Sequence, residues 1–106
     1  MLAMERSAGA ELAFTLSALF KDPERVAALG RRYLAHYPED ADADRLAVAL
    51  FGDTTRSQAD AATMRADLAR QRERDFRDGE VVVVDGWLLA RSEARVCALS
   101  ALLQQV

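Results

Sequence analysis

The fold of this chain is decided by one stretch near its C-terminus: Gly79-Glu80-Val81-Val82-Val83-Val84-Asp85-Gly86-Trp87-Leu88-Leu89. Four consecutive valines favour a strand, because β-branched side chains are restricted in a helix. Asp-Gly is typical of a two-residue hairpin turn, since both turn positions need positive φ. We therefore predict an antiparallel hairpin that pairs residues 80–84 with residues 87–90. An isolated hairpin is marginal in water, so this one must pack on helices or pair with another chain.

Helices are predicted on both sides of the hairpin. A C-terminal helix from about Ser92 to Gln104 has one apolar face, formed by Val96, Leu99, Leu102 and Leu103. Ser92 is its candidate cap, although position 95 is an arginine and a capping box is therefore absent. Before the hairpin, a long charged helix from about residue 57 to residue 76 has only a thin apolar stripe, formed by Ala61, Met64, Leu68 and Phe76.

Three further helices are predicted earlier in the chain. The first runs from about residue 10 to residue 21, with Leu12, Leu16, Leu19 and Phe20 near one face. The second starts at Asp22-Pro23-Glu24, which supplies a cap and a first-turn proline, and it stops before Pro38. The third starts within residues 39–44 and ends at Gly52, before a polar loop at 53–57. The expected fold is mainly α: about five helices in a single small bundle-like domain, residues 1–106, with one β-hairpin (about 80–90) before the C-terminal helix.

Composition narrows the class of protein. The chain has 106 residues, which is the size of one domain, and a formal net charge of −3, which argues against nucleic-acid binding. One cysteine excludes an intrachain disulfide, and no apolar run approaches the ~20 residues of a membrane span. No secretory signal is visible at the start. We expect a cytoplasmic protein without membrane contact, or a periplasmic one if an export signal precedes Met1.

Neither a catalytic set nor a metal site is apparent in the sequence. His36 is the only histidine and has no partner ligand, and Cys97 lies on an apolar helix, where we expect a buried, inert thiol. Asp85 is explained by the turn and Glu80 by a strand end, which leaves no carboxylate pair for acid–base chemistry. We therefore expect no catalytic residue, no cofactor and no metal. The arginines of the long helix alternate with acidic residues, a pattern that predicts a solvated helix face and not a basic patch. These arginines are Arg65, Arg70, Arg72, Arg74 and Arg77.

Two blocks of the sequence are the basis of a resemblance to other proteins. The first block is Gly30-Arg31-Arg32-Tyr33-Leu34 followed by Tyr37-Pro38-Glu39. The second block is Asp75-Phe76, Gly79, Val84-Asp85-Gly86-Trp87-Leu88-Leu89 and Glu93-Ala94-Arg95-Val96-Cys97-Ala98-Leu99. Over about residues 22–103 the chain resembles a group of small bacterial proteins with no established activity, some of which carry a twin-arginine export signal. The resemblance therefore implies no activity and no catalytic residue.

These observations favour a non-enzymatic protein–protein interaction module, either self-associating or a small accessory subunit of a larger complex. The hairpin has an unpaired edge, and edge pairing across a two-fold axis is a route to a homodimer. Trp87 is predicted as a lid over the core, with an interface anchor as the alternative. The expected interface residues are Val82, Val84, Trp87, Leu89 and Phe76.

Two alternative functions are kept open. One is a small-molecule-binding domain or small enzyme with a pocket near Trp87 and Tyr33, in which His36 and Tyr37 are further candidates. The other is a nucleic-acid-binding regulator that uses the arginines of the long helix. Both belong to classes for which the chain lacks a recognisable motif.

Overall fold

A computed structural model describes residues 20–52 and 61–104 of the chain. The described elements are, in order, α1 (Pro23–His36), a 3₁₀ turn (Pro38–Asp40), α2 (Ala43–Phe51), α3 (Ala61–Asp78), β1 (Val81–Val84), β2 (Trp87–Ala90) and α4 (Arg91–Gln104). The fold is mainly helical, with one antiparallel hairpin before the C-terminal helix, as predicted. The predicted first helix up to residue 19 and the predicted loop at 53–57 lie outside the described residues.

The ends of α1 and α2 follow local capping rules. The Asp22 carboxylate accepts a hydrogen bond from the Arg25 N–H at 3.2 Å, and Asp42 accepts one from the Arg45 N–H at 3.1 Å. Each bond satisfies one of the amide groups that the first turn of a helix leaves free. Gly52 ends α2 with a φ of 78°, a left-handed conformation that glycine adopts without strain. The predicted cap at Asp22 and the predicted stop at Gly52 are confirmed.

The hairpin forms at the predicted place. Asp85 and Gly86 have φ values of 52° and 85°, so both turn positions are left-handed. Val84 lies opposite Trp87, and Val83 lies opposite Leu88. The two strands pack against α1, α3 and α4, which gives the hairpin the support that an isolated two-stranded sheet lacks.

The most extensive packing in the described chain is between α1 and α4. Their backbones come so close at Gly30 that a Cβ atom added there would lie 2.0 Å from the carbonyl oxygen of Cys97. Other small residues of the two helices are buried as well. They include Ala27, Ala94, Ala98 and Ala101.

The core is completed by larger side chains from the four helices and from β1. Its members include Tyr33, Leu46, Leu50, Phe51, Met64, Val82, Val84, Val96 and Leu99. Met64 is the one described residue of α3 that is fully buried. Of the thin apolar stripe predicted for this helix, Met64 is buried, Ala61 and Leu68 are half-buried, and Phe76 is exposed.

Candidate interaction surface

Three large apolar side chains on the hairpin are exposed. Val83 and Leu88 lie opposite each other in the ladder, so their side chains share the outer face of the sheet. They are 62% and 58% exposed, and Trp87, at the turn end of β2, is 68% exposed. Trp87 is opposite Val84 in the ladder and so lies on the other face from Val83 and Leu88. We call Val83, Trp87 and Leu88 together the hairpin surface.

The structure divides the five expected interface residues between the core and the surface. Val82 and Val84 lie on the inner face and belong to the buried core, so neither can contact a partner without the hairpin leaving the helices. Leu89 is half-buried, whereas Phe76 is 44% exposed on α3. Only Trp87 and Phe76 of the five are thus exposed.

The prediction that Trp87 covers the core is wrong. Trp87 pairs with Val84, which is fully buried, and yet its own side chain is mostly in solvent. The helices therefore cover the inner face of the sheet at Val84 but do not extend over the indole ring at the turn. A tryptophan left in solvent retains a large apolar area that is available to a partner.

The backbone of the hairpin also has open positions. Hydrogen bonds alternate along an antiparallel ladder, so only every second residue turns its N–H and C=O towards the partner strand. The Arg91 N–H donates to the Glu80 carbonyl at 2.9 Å, so Glu80 and Arg91 form a hydrogen-bonded pair, and every second pair along the ladder does the same. Val83 and Leu88 belong to the pairs in between, so their N–H and C=O groups point away from the partner strand. Those of Val83 lie on the outer edge of β1, and those of Leu88 lie on the outer edge of β2.

The base of the hairpin, in contrast, is closed by local hydrogen bonds. The Ala90 N–H donates to Oε1 of Glu93 at 2.9 Å, and the Val81 N–H donates to the Gly79 carbonyl at 3.0 Å. These bonds occupy the outward amide groups farthest from the turn. Among the described residues, the outward amide groups without such a local acceptor are those of Val83 and Leu88, whose side chains are also exposed.

The start of α4 is held by residues that the sequence analysis did not identify. Oδ2 of Asp75 accepts a hydrogen bond from the Ser92 N–H at 2.8 Å. The predicted cap, Ser92, uses its amide instead of its side chain, and its hydroxyl has no hydrogen-bond partner among the described residues. Glu93 supplies the other half of a capping arrangement through its bond to Ala90. Asp75 is 17 residues away from Ser92, so no local signal in the sequence could have revealed its role.

The tyrosines that were candidates for a pocket are engaged in packing. The Tyr33 hydroxyl donates to Oδ2 of Asp40 at 2.5 Å, and the rings of Tyr33 and Tyr37 stack with their centroids 4.8 Å apart. Burial, followed by the bond to Asp40, raises the pKa of Tyr33 to about 12. Arg95 lies beside the same carboxylate, with its Nε 3.5 Å from Oδ2. Tyr33 is thus a buried structural residue, and His36 is exposed at the end of α1.

Cys97 is buried in α4, as predicted. Desolvation, with a smaller contribution from the Glu93 charge, raises the pKa of its thiol to about 12. A thiol with so high a pKa is almost entirely protonated at neutral pH, and the protonated form is a poor nucleophile. The structure therefore gives Cys97 the character of a small apolar core residue.

The arginines of α3 lie among acidic partners. Arg70 contacts Asp67 at 3.3 Å, and Arg72 contacts Glu93 at 3.6 Å. The described residues contain no group of three or more His, Cys, Asp and Glu side chains placed to hold a metal ion. In the same part of the chain, no helix combines the length and hydropathy that crossing a bilayer requires.

A cavity of about 270 Å³ lies between α3 and α4. Its wall is mainly apolar, and neither Trp87 nor Tyr33 contributes to it, so it is not the pocket that the sequence suggested. We call it the α3–α4 cavity. Its lining residues are Phe20, Arg65, Leu68, Ala69, Arg72, Ser92, Glu93 and Val96.

Comparison with known proteins gives no family assignment. The chain matches no protein-family model, and searches of curated proteins and of solved structures give no significant match. The resemblance to a group of small bacterial proteins therefore stays a prediction.

Proposed function

We propose that this chain is a protein–protein interaction module that self-associates through the hairpin surface. The observation that carries the proposal is the exposure of Val83, Trp87 and Leu88 within one short hairpin. Single exposed apolar residues are ordinary on protein surfaces, whereas neighbouring large ones mark contact sites. Tryptophan is also among the residues that contribute most to binding energy at interfaces.

The free edge positions support a second copy of the chain as the partner. An unpaired strand edge is a template for another strand, and the outward N–H and C=O groups of Val83 and Leu88 provide one on each side of the hairpin. A second copy presents the same edge with the same spacing. Antiparallel pairing of two identical strands is compatible with a two-fold axis, which closes the assembly as a dimer.

Side-chain burial would add to the backbone pairing. A dimer formed at the β2 edge, the strand that contains both Trp87 and Leu88, places the apolar residues of two hairpins side by side. Each buried Å² of apolar area is worth roughly 25 cal/mol before the costs of association. The accessory-subunit form of the hypothesis stays a prediction, as do the small-molecule and nucleic-acid alternatives.

Sedimentation equilibrium of the wild-type chain and of two lysine variants tests the proposal. Lysine on an edge strand opposes pairing because its charge must stay in water, so Leu88→Lys should remain monomeric at all concentrations. Val48→Lys is the matched control, since Val48 is 43% exposed on α2, a helix that has no extensive contact with the hairpin. We expect the wild type and Val48→Lys to shift from one chain to two between low and high micromolar concentration.

Two results would contradict self-association through the hairpin. One is a wild-type chain that remains a monomer at high micromolar concentration. The other is a Leu88→Lys variant that dimerises as strongly as the wild type, which would place the contact elsewhere on the molecule.

A further inference from the structure

The α3–α4 cavity has an apolar wall that the described residues leave uncovered. Leu68 and Val96 contribute side chains from the two helices, and Phe20 closes one side. Arg65 and Arg72 lie on α3 at exposed positions beside it. Such a surface needs an apolar occupant, because an open apolar cavity loses both packing contacts and the benefit of burial.

The position of Phe20 indicates what that occupant is. Phe20 is the first described residue of the chain and it lines the cavity, so the segment that precedes it is covalently joined to a residue of the cavity wall. Residues 12–20 read Leu-Ala-Phe-Thr-Leu-Ser-Ala-Leu-Phe and contain no charged side chain. Leu12, Leu16 and Leu19 recur at helical spacing, and an apolar stripe of this kind must be buried against another element.

We infer that residues 12–19 of the same chain dock in the α3–α4 cavity and complete the core on that side. In helical form these eight residues extend about 12 Å, which suits a cavity lined over the turns from Arg65 to Arg72. The cavity is then an internal packing site and not a site for a small molecule. This inference uses none of the hairpin surface, so it stands or falls separately from self-association.

Disulfide trapping tests the inference directly. Leu16→Cys is combined with Ala69→Cys, because Ala69 lines the cavity at an exposed position. The control pair is Leu16→Cys with Ala35→Cys, since Ala35 is exposed near the end of α1 and does not line the cavity. Cys97 is buried and is left in place. We expect mild oxidation to cross-link the first pair within one chain and to leave the control pair open.

Every other outcome overturns the inference. A cross-linked dimer of the first pair shows that the segment of a second copy fills the cavity. Cross-linking of the control pair instead places the segment along α1. The absence of any cross-link shows that the segment does not bind in the cavity. These products are separated by non-reducing electrophoresis and mass spectrometry.

Thermal unfolding supplies a second readout with a matched pair of variants. Leu16→Asp introduces a charge on the predicted apolar stripe, whereas Ser17→Asp introduces the same charge one position away. We expect Leu16→Asp to lower Tm by at least about 5 °C and Ser17→Asp to change it by less than about 2 °C. Equal effects of the two variants would contradict docking by this face.

Discussion

Gly30 shows how one missing side chain sets the distance between two helices. A Cβ atom at this position would meet the carbonyl oxygen of Cys97 at 2.0 Å and the amide nitrogen of Ala98 at 2.8 Å. Both are backbone atoms, so neither can turn aside as a flexible side chain would. Glycine is accepted inside α1, despite its poor helix propensity, because the close contact with α4 allows no other residue.

Replacement of Gly30 by alanine should therefore destabilise the chain. In an unconstrained helix the same change stabilises by about 1 kcal/mol, so the sign of the effect separates packing from propensity. Overpacking against backbone should outweigh that gain and lower the free energy of unfolding by a net of about 2 kcal/mol. Urea unfolding measures the difference, with Ala35→Gly on the exposed side of α1 as the control for propensity alone. A Gly30→Ala variant as stable as the wild type would contradict the close packing of α1 on α4.

At the scale of elements, Asp75 joins α3 to the start of α4. Its side chain caps the Ser92 N–H at 2.8 Å, and its backbone carbonyl accepts the Glu80 N–H at 2.8 Å, so one residue fixes both ends of the hairpin segment. α3 has a similar polar attachment one turn earlier, where Nε2 of Gln71 donates to the Leu50 carbonyl at 2.6 Å. Polar bonds thus hold the half of α3 that lacks buried apolar residues.

The capping role of Asp75 leads to a prediction about a single carboxylate. Asp75→Ala should lower the free energy of unfolding by about 1–2 kcal/mol, because it leaves the Ser92 N–H without its acceptor. Asp78→Ala, on an exposed position of the same helix, should change it by less than about 0.5 kcal/mol. Urea midpoints at unchanged m-value give the comparison. Indistinguishable midpoints for the two variants would show that the bond from Ser92 to Asp75 contributes nothing to stability.

The elements that sequence predicted correctly depend on neighbouring residues. The cap at Asp22, the stop at Gly52 and the turn at Asp85 each use chemistry within a few positions of the chain, and a reader of the sequence can recognise it. The face of the hairpin that is buried could not be predicted in the same way. An ordinary half-buried strand alternates apolar and polar residues, but four valines in a row carry no such mark.

The exposure of Trp87 was beyond prediction for a related reason. It depends on how far the helices extend over the turn, which is a property of the assembled domain. Asp75 is a similar case. In the sequence it is one of several charged residues that alternate along α3, and its capping role depends on the position of α4 in the folded domain. The burial of Val82 and Val84 and the exposure of Val83 follow only once α1, α3 and α4 are packed against the hairpin.

At the scale of the whole molecule, the inner and outer faces of the hairpin have different uses. The inner face belongs to a helical core that includes Val82, Val84 and Leu99. The outer face and the turn carry apolar residues that the described chain does not cover. If two copies bind through this surface, association stabilises the folded chain by mass action, and apparent stability should rise with protein concentration.

The fluorescence of Trp87 tests the central claim most directly. Trp87 is the only tryptophan in the chain and part of the hairpin surface, so its emission reports whether that surface is covered. We predict that the emission maximum of the wild type moves to longer wavelength on dilution from high to low micromolar concentration, as the indole passes from an interface into water. The Leu88→Lys variant should emit at the longer wavelength throughout. A wild-type maximum that has this longer, water-exposed value at every concentration would contradict self-association through the hairpin.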